Sequence, residues 1–253
     1  MTATPASMTY ADYLALGELL GAQHPISDHH DEMLFIVIHQ TKELWLKQML
    51  HEVDLAASLI RDGHFAGAHK ALSRVSRIQT VMTLSWDILS TLTPFDYMQF
   101  RHVLGSSSGF QSLQFRLLEF RLGLKDERFL KFGEGGAEGR ARLEAALAQP
   151  SLWEEANTAL GRAGFDISST DAIKASWLTV YRDAERWFDL YGLAEKLVDV
   201  DDALVAWRMK HVLTVERIIG MKRGTGGSEG AAYLKSTLDK RAFPELWSLR
   251  TEI

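Results

Sequence analysis

The sequence predicts an all-α protein, and three observations predict it. Apolar residues recur at three- to four-residue intervals over long stretches, nowhere does a segment alternate apolar and polar residues as a half-buried strand would, and only five prolines interrupt 253 residues. A chain of this length with 46% hydrophobic and 24% charged residues can bury one sizeable core. We therefore expect a single domain over residues 1–253, a helical bundle with a ligand pocket between its helices.

The elements follow in order. From Asp28 to Arg61, Leu34, Ile38, Trp45, Met49, Val53 and Leu59 mark one face of a long helix, with Asp28 as its cap and Gly63 as its stop. A second helical pattern, from about Phe65 to Leu92 through Leu72, Val75, Ile78, Met82, Trp86 and Leu89, is expected to pack back antiparallel on the first. Thr93-Pro94 reads as N-cap and first turn of a third helix ending at Gly105, and GSSSG at 105–109 as a turn before helix resumes near Phe110. Residues 125–170, with GEGGAEG and two short Leu/Ala-rich patches, read as a surface excursion of short helices. From Ala172 to Gly220 the pattern is helical, with a break expected near Asp199–Asp202 because acidic residues suit a helix N-terminus. After the glycine-dense stretch 220–230, helices at about 229–240 and 243–253 close the chain.

Composition removes several function classes. A net charge of −5 and the lack of a basic tract argue against a nucleic-acid partner. No run of eighteen apolar residues and no basic-then-apolar leader are present, so no membrane partner and a cytoplasmic location are expected. With no cysteine, disulfides, zinc–thiolate sites, iron–sulfur clusters, thiolate nucleophiles and thiolate-bound or covalently attached haem are excluded. Any metal or cofactor must be held by His, Asp, Glu, Tyr or Met, and the nine histidines are the natural place to look.

Two histidines stand on apolar helix faces. His211 lies in WRMKHVLTVERIIG with Leu204, Trp207, Val215 and Ile218 at separations of four and seven, so its imidazole points into an apolar layer. It is either a core histidine satisfied by one hydrogen bond or an axial ligand in an aromatic slot. His39, with Phe35 one turn before it and Glu43 one turn after, is either bonded to Glu43 or a backbone carbonyl, or the polar tip that positions the N–H of a flat apolar ligand. Tyr97 and Arg101, four apart, place a phenol and a guanidinium together as a candidate carboxylate clamp. GTGGS at 224–228 is a flexible loop or a cradle for an anion or small amino acid, since neither a phosphate loop nor a dinucleotide fingerprint fits. HHDE at 29–32 could ligate a divalent ion, but a charged helix start explains it more simply. A metal-dependent hydrolase built on HHDE and Glu43, and a haem carrier without turnover, are the rival functions.

Taken in order, HHDEMLFIVIHQTKELWLKQ, TLTPFDYMQFR, GSSSGFQSLQFR, WRMKHVLTVERIIG and GTGGSEGAAYL resemble the tryptophan 2,3-dioxygenase family across nearly the whole chain. That resemblance implies a haem b, ferrous for turnover, and insertion of both atoms of O₂ across the indole C2–C3 bond of L-tryptophan to give N-formyl-L-kynurenine. It implies His211 as axial iron ligand, and Phe35, Ile36, Val37, Ile38 and His39 as the pocket wall, with His39 catalytic. It further implies Tyr97 and Arg101 on the carboxylate, Gly224 and Thr225 at the amino-acid end, and Ser108 beside the distal haem face. Tyr10 and Tyr13, in an N-terminal arm over 1–27, would reach a neighbouring site in a homotetramer, a dimer of dimers. The match is thinnest over about 125–170.

Overall fold

The computed structural model describes residues 8–131, 135–227 and 229–253. The helices, in chain order, are α1 (Tyr10–Tyr13), α2 (Leu16–Leu20), α3 (His30–Arg61), α4 (Phe65–Leu89), α5 (Pro94–Phe100), α6 (Leu113–Leu122), α7 (Gly136–Ala148), α8 (Leu152–Arg162), α9 (Thr170–Arg182), α10 (Phe188–Ile219), α11 (Ala231–Lys235) and α12 (Pro244–Ser248). Short 3₁₀ turns fill in at Arg101–Leu104, Gly109–Gln111, Glu127–Lys131 and Leu249–Thr251. Among the described residues there is no strand, and no helix is long and apolar enough to cross a membrane.

Helices α3 and α4 form an antiparallel hairpin, because the intervening Asp62–His64 turn is short and Gly63 takes a φ of +78° that other residues adopt with strain. Along α4 lies α10, while α6 and α8 flank α3. The main core is where their apolar stripes meet: Met49, Val53 and Ile60 of α3, Leu72 and Val75 of α4, and Leu193 and Leu197 of α10. Burying a stripe of this kind supplies the dominant favourable free energy, roughly 1.5–3 kcal/mol per fully buried large aliphatic side chain. A second, smaller cluster joins Ile38, Trp86, Leu89, Tyr97, Phe100 and Ile218 near the far end of the α3–α4–α10 assembly, with Phe35 and Trp207 packed against it.

Charged groups fix the register between α6 and α10. Glu119 accepts from Arg208 at 2.9 Å and from Arg116 at 2.5 Å, and all three are buried. Breaking one partner of such a group leaves an uncompensated buried charge, so the relative position of α6 and α10 is strongly specified. Arg208 stands one turn before His211, so this lock also sets where His211 projects.

The structure departs from the sequence expectations in four places. Helix α3 begins at His30 with His29 as cap residue; instead of an Asp28 cap, the Glu32 carboxylate turns back to accept the backbone N–H groups of Ile26 and Ser27, each at 2.8 Å. The expected break at Asp199–Asp202 does not occur, and α10 runs unbroken from Phe188 to Ile219. Asp201 is fully buried there and accepts from the backbone N–H of Ala242 and Phe243 and from the Trp247 indole, so the acid anchors the C-terminal segment rather than capping a helix. The break falls instead between Arg182 and Phe188, where no glycine or proline announces it. The 125–170 segment does contain short helices, but Leu152, Ala156 and Leu160 of α8 belong to the main core, so this helix is no surface excursion. The two last helices are shorter than expected, Ala231–Lys235 and Pro244–Ser248.

Candidate functional site

Two aromatic groups share the smaller cluster. Phe35 of α3 lies 4.2 Å from the His39 ring, 5.9 Å from Tyr97 and 5.8 Å from Phe100, centroid to centroid. On α10, His211 stacks on Trp86 of α4 at 4.3 Å and 11°, with Trp207 at 5.3 Å. The periodicity of α3 explains the first set: Phe35 and His39 are one turn apart on one face, and from it Phe35 meets Tyr97 and Phe100 of α5. Trp207 and His211 are likewise one turn apart on α10.

The protonation of His39 follows from its neighbours. Its Nδ1 lies 2.7 Å from the Phe35 carbonyl, which can only accept, so Nδ1 carries the hydrogen and donates. Burial, with a contribution from the Lys42 charge, pushes its pKa down to about 4 against the pull of that hydrogen bond. The ring is therefore neutral near pH 7, and its Nε2 presents a lone pair. Of the two partners sequence reasoning offered, the backbone carbonyl is correct; Glu43 is taken by Gln114, whose amide donates to its carboxylate at 2.9 Å and to its carbonyl at 2.8 Å.

His211 is held as a neutral base more firmly still. Burial, then Lys42 and His39, push its pKa to about 3, and its ring makes no hydrogen bond among the described residues. A neutral imidazole with an uncommitted lone pair is what a metal ligand requires.

Lys42 is the residue that sequence reasoning missed. One turn beyond His39, its Nζ sits 2.8 Å from the Trp86 ring centroid, is buried, and has no hydrogen-bond partner. Burial lowers its pKa to about 6. The only signal was its i+3 spacing from His39, and a lysine in KELWLK reads equally well as solvated. The Nε1 atoms of Trp86 and Trp207 are also buried without partners.

The third part of the site is built from loops. Thr93 and Asp96 form a capping box that starts α5, which carries Tyr97 and delivers Arg101 at its end. The Arg101 guanidinium interacts with the Tyr97 hydroxyl, and burial raises the Tyr97 pKa. Arg101 also donates to the Arg223 carbonyl, and the Thr225 hydroxyl donates to the Ser107 carbonyl. The expected clamp and the glycine-rich loop thus meet, although more than a hundred residues separate them in sequence. Ser108 and Gly224 are half-buried in this region, and the Gly224 carbonyl accepts from Gly227 N–H at 3.1 Å.

Not every expected site residue converges. Ile38 packs into the aromatic cluster, but Val37 is 39% exposed on the other side of α3, and Ile36 is half-buried. Tyr10 and Tyr13 are 76% and 75% exposed on α1 and contribute nothing to the pocket of their own chain. The first seven residues of the expected arm, and Ser228 of GTGGS, lie outside the described residues. His29, His30 and Asp31 stand beside Phe95, Asp96 and Gln99 in a surface cleft. Among the described residues no group of three or more acidic or histidine side chains is placed to hold a metal ion.

Comparison with known proteins adds a different kind of observation. The sequence profile of tryptophan 2,3-dioxygenase matches residues 2–138 and 143–253. A protein of Caulobacter vibrioides named tryptophan 2,3-dioxygenase is 62% identical, over 97% of this chain and 98% of its own length. Proteins of the same name from Bacillus cereus and Ralstonia pickettii are 50% and 48% identical, each over 98% of this chain and over 93% and 94% of their own lengths.

Proposed function

We propose, for a chain that belongs to the tryptophan 2,3-dioxygenase family, that its residues divide into an iron-holding part, an indole-holding part and an amino-acid clamp. It is an oxidoreductase acting on tryptophan: both atoms of O₂ enter the indole C2–C3 bond and N-formyl-L-kynurenine leaves.

The site's donor set fits a haem. A flat, mostly apolar group would need an aromatic surround and a nitrogen donor, which Trp86, Trp207 and the neutral His211 would supply. His211 is the residue we assign to the iron, and Phe35, His39 and the clamp residues would hold the substrate. When bound, haem supplies the activation of O₂.

The chain's own residues do the rest. The Nε2 lone pair of His39 accepts the indole N–H, and its Nδ1–H is held by the Phe35 carbonyl so that the ring cannot turn away. Phe35 packs beside that ring and excludes water from the indole face. Arg101, supported by Tyr97, takes the substrate carboxylate as a fork of two N–H donors, which requires it to exchange the Arg223 carbonyl for the stronger, charged acceptor. Thr225, with Gly224 and Ser108 near it, meets the amino-acid end from the loop. The neutral, Phe35-bound His39 carries this reading, because it makes the histidine an acceptor and positioning group. Electrophilic attack on the indole ring does not require the N–H proton to leave first, so His39 need not be an obligatory base.

The assembly we assign to it is a dimer of dimers. Exposed apolar residues along α4 (Val81, Leu84 and Ile88) and α10 (Met209 and Leu213) support association, and exposed Tyr10 and Tyr13 support an arm that reaches a neighbouring site. The test of function is direct: ferrous, haem-loaded protein is mixed with L-tryptophan and O₂, and N-formylkynurenine is followed by absorbance. Product formation is expected; haem uptake without product would leave only a carrier.

A further inference from the structure

The glycines of the 224–227 turn differ in what they permit. Gly227 has a φ of +76° and open space where a Cβ would stand, so it serves backbone conformation. Gly226 is outside the left-handed region, and a Cβ there would lie 2.5 Å from Ser108 Cβ, 3.0 Å from Ser108 Oγ and 3.5 Å from the Ser106 carbonyl oxygen. It serves close approach.

Ser108 cannot retreat to make room. Its N–H donates to the Gln111 side chain at 2.9 Å, and its hydroxyl accepts from Phe110 N–H at 3.3 Å, so it is the cap residue of the Gly109–Gln111 turn. A Cβ on residue 226 would therefore lift the loop off the 106–108 turn. The group displaced first is the adjacent Thr225, whose hydroxyl is bonded to the Ser107 carbonyl.

We propose that Gly226 is a positioning residue for recognition of the substrate's amino-acid end: seated without a side chain on Ser108, it holds Thr225 beside the Arg101 clamp. The inference rests on the reading that Thr225 meets substrate, and its test separates the two. Gly226→Ala in the haem-loaded enzyme is expected to raise the KM for L-tryptophan about tenfold, the equivalent of one lost hydrogen bond, with kcat within about twofold. The steric partner is then removed. Measured against Ser108→Gly alone, whatever that change itself does, adding Gly226→Ala is expected to alter KM less than about twofold, the non-additivity expected of two residues pressed together. Gly227→Ala, harmful through its φ, is not relieved by Ser108→Gly. An equal KM penalty for Gly226→Ala in both backgrounds, or none in either, overturns the proposal. Thr225→Val tests the premise: a raised KM with an additive cycle sinks only the role of Gly226, whereas an unchanged KM sinks both readings.

Discussion

The aromatic wall and the proposed clamp are built by different means. Phe35, His39, Trp86 and His211 project from three long helices, and their positions follow from helical spacing and a buried ion pair that fixes the register of α10. Arg101, Ser108 and Thr225 sit on turns, joined by side chains that reach backbone carbonyls and by a glycine pressed on a serine. Helix packing is over-determined, so a substitution on the wall changes chemistry while leaving geometry nearly intact. The clamp has few supports, and a change there moves its parts.

The largest expected effect breaks the clamp without touching the wall. Arg101→Lys keeps a positive charge but loses the planar fork, and is expected to raise the KM for L-tryptophan by on the order of a hundredfold with the haem spectrum unchanged. Steady-state kinetics beside an optical spectrum check both halves; an unchanged KM removes Arg101 from the clamp.

A smaller effect on the wall should appear as stability. Lys42 has its pKa lowered from 10.5 to about 6 by burial, so between those values the unfolded chain binds a proton that the folded chain does not. Its contribution to stability therefore worsens as pH falls from 10.5 toward 6. Lys42→Met is expected to stabilise the protein by about 1–2 kcal/mol at pH 7, with the gain shrinking as pH rises toward 10. Denaturant unfolding at both pH values measures it, and a gain that grows with pH would reverse the assignment.

The smallest effect concerns His39. As the positioning group proposed above it would supply one neutral hydrogen bond, so His39→Ala is expected to lower kcat/KM about tenfold while activity persists. With its pKa pushed to about 4, its protonation cannot bend the wild-type profile between about pH 6 and 8. Complete loss of turnover in His39→Ala, with haem and tryptophan still bound, would make it an essential base.

The contrast also explains what the sequence disclosed. Helices α3 and α4, the helical character of α10 and the burial of both histidines were legible, because apolar spacing along a helix states which face is buried. The partner of His39 was readable only as a choice between two groups, because Gln114 comes from α6 and claims Glu43 through tertiary packing. Asp201 misled for the same reason: an acid in a cluster reads as a helix start unless its backbone partners forty residues away are known. Lys42 was hidden because a lysine's burial depends on what lies across the interface. The five ordered motifs carried the clamp residues, but not the carbonyls that Arg101 and Thr225 hold.

The proposed division of labour requires that His211, and not His39, hold the iron. It is tested most directly by titrating haemin into His211→Ala and His39→Ala and recording the Soret band of each. His39→Ala is expected to take up haem with a normal spectrum and His211→Ala is not; a normal spectrum in His211→Ala would mean that another residue holds the iron.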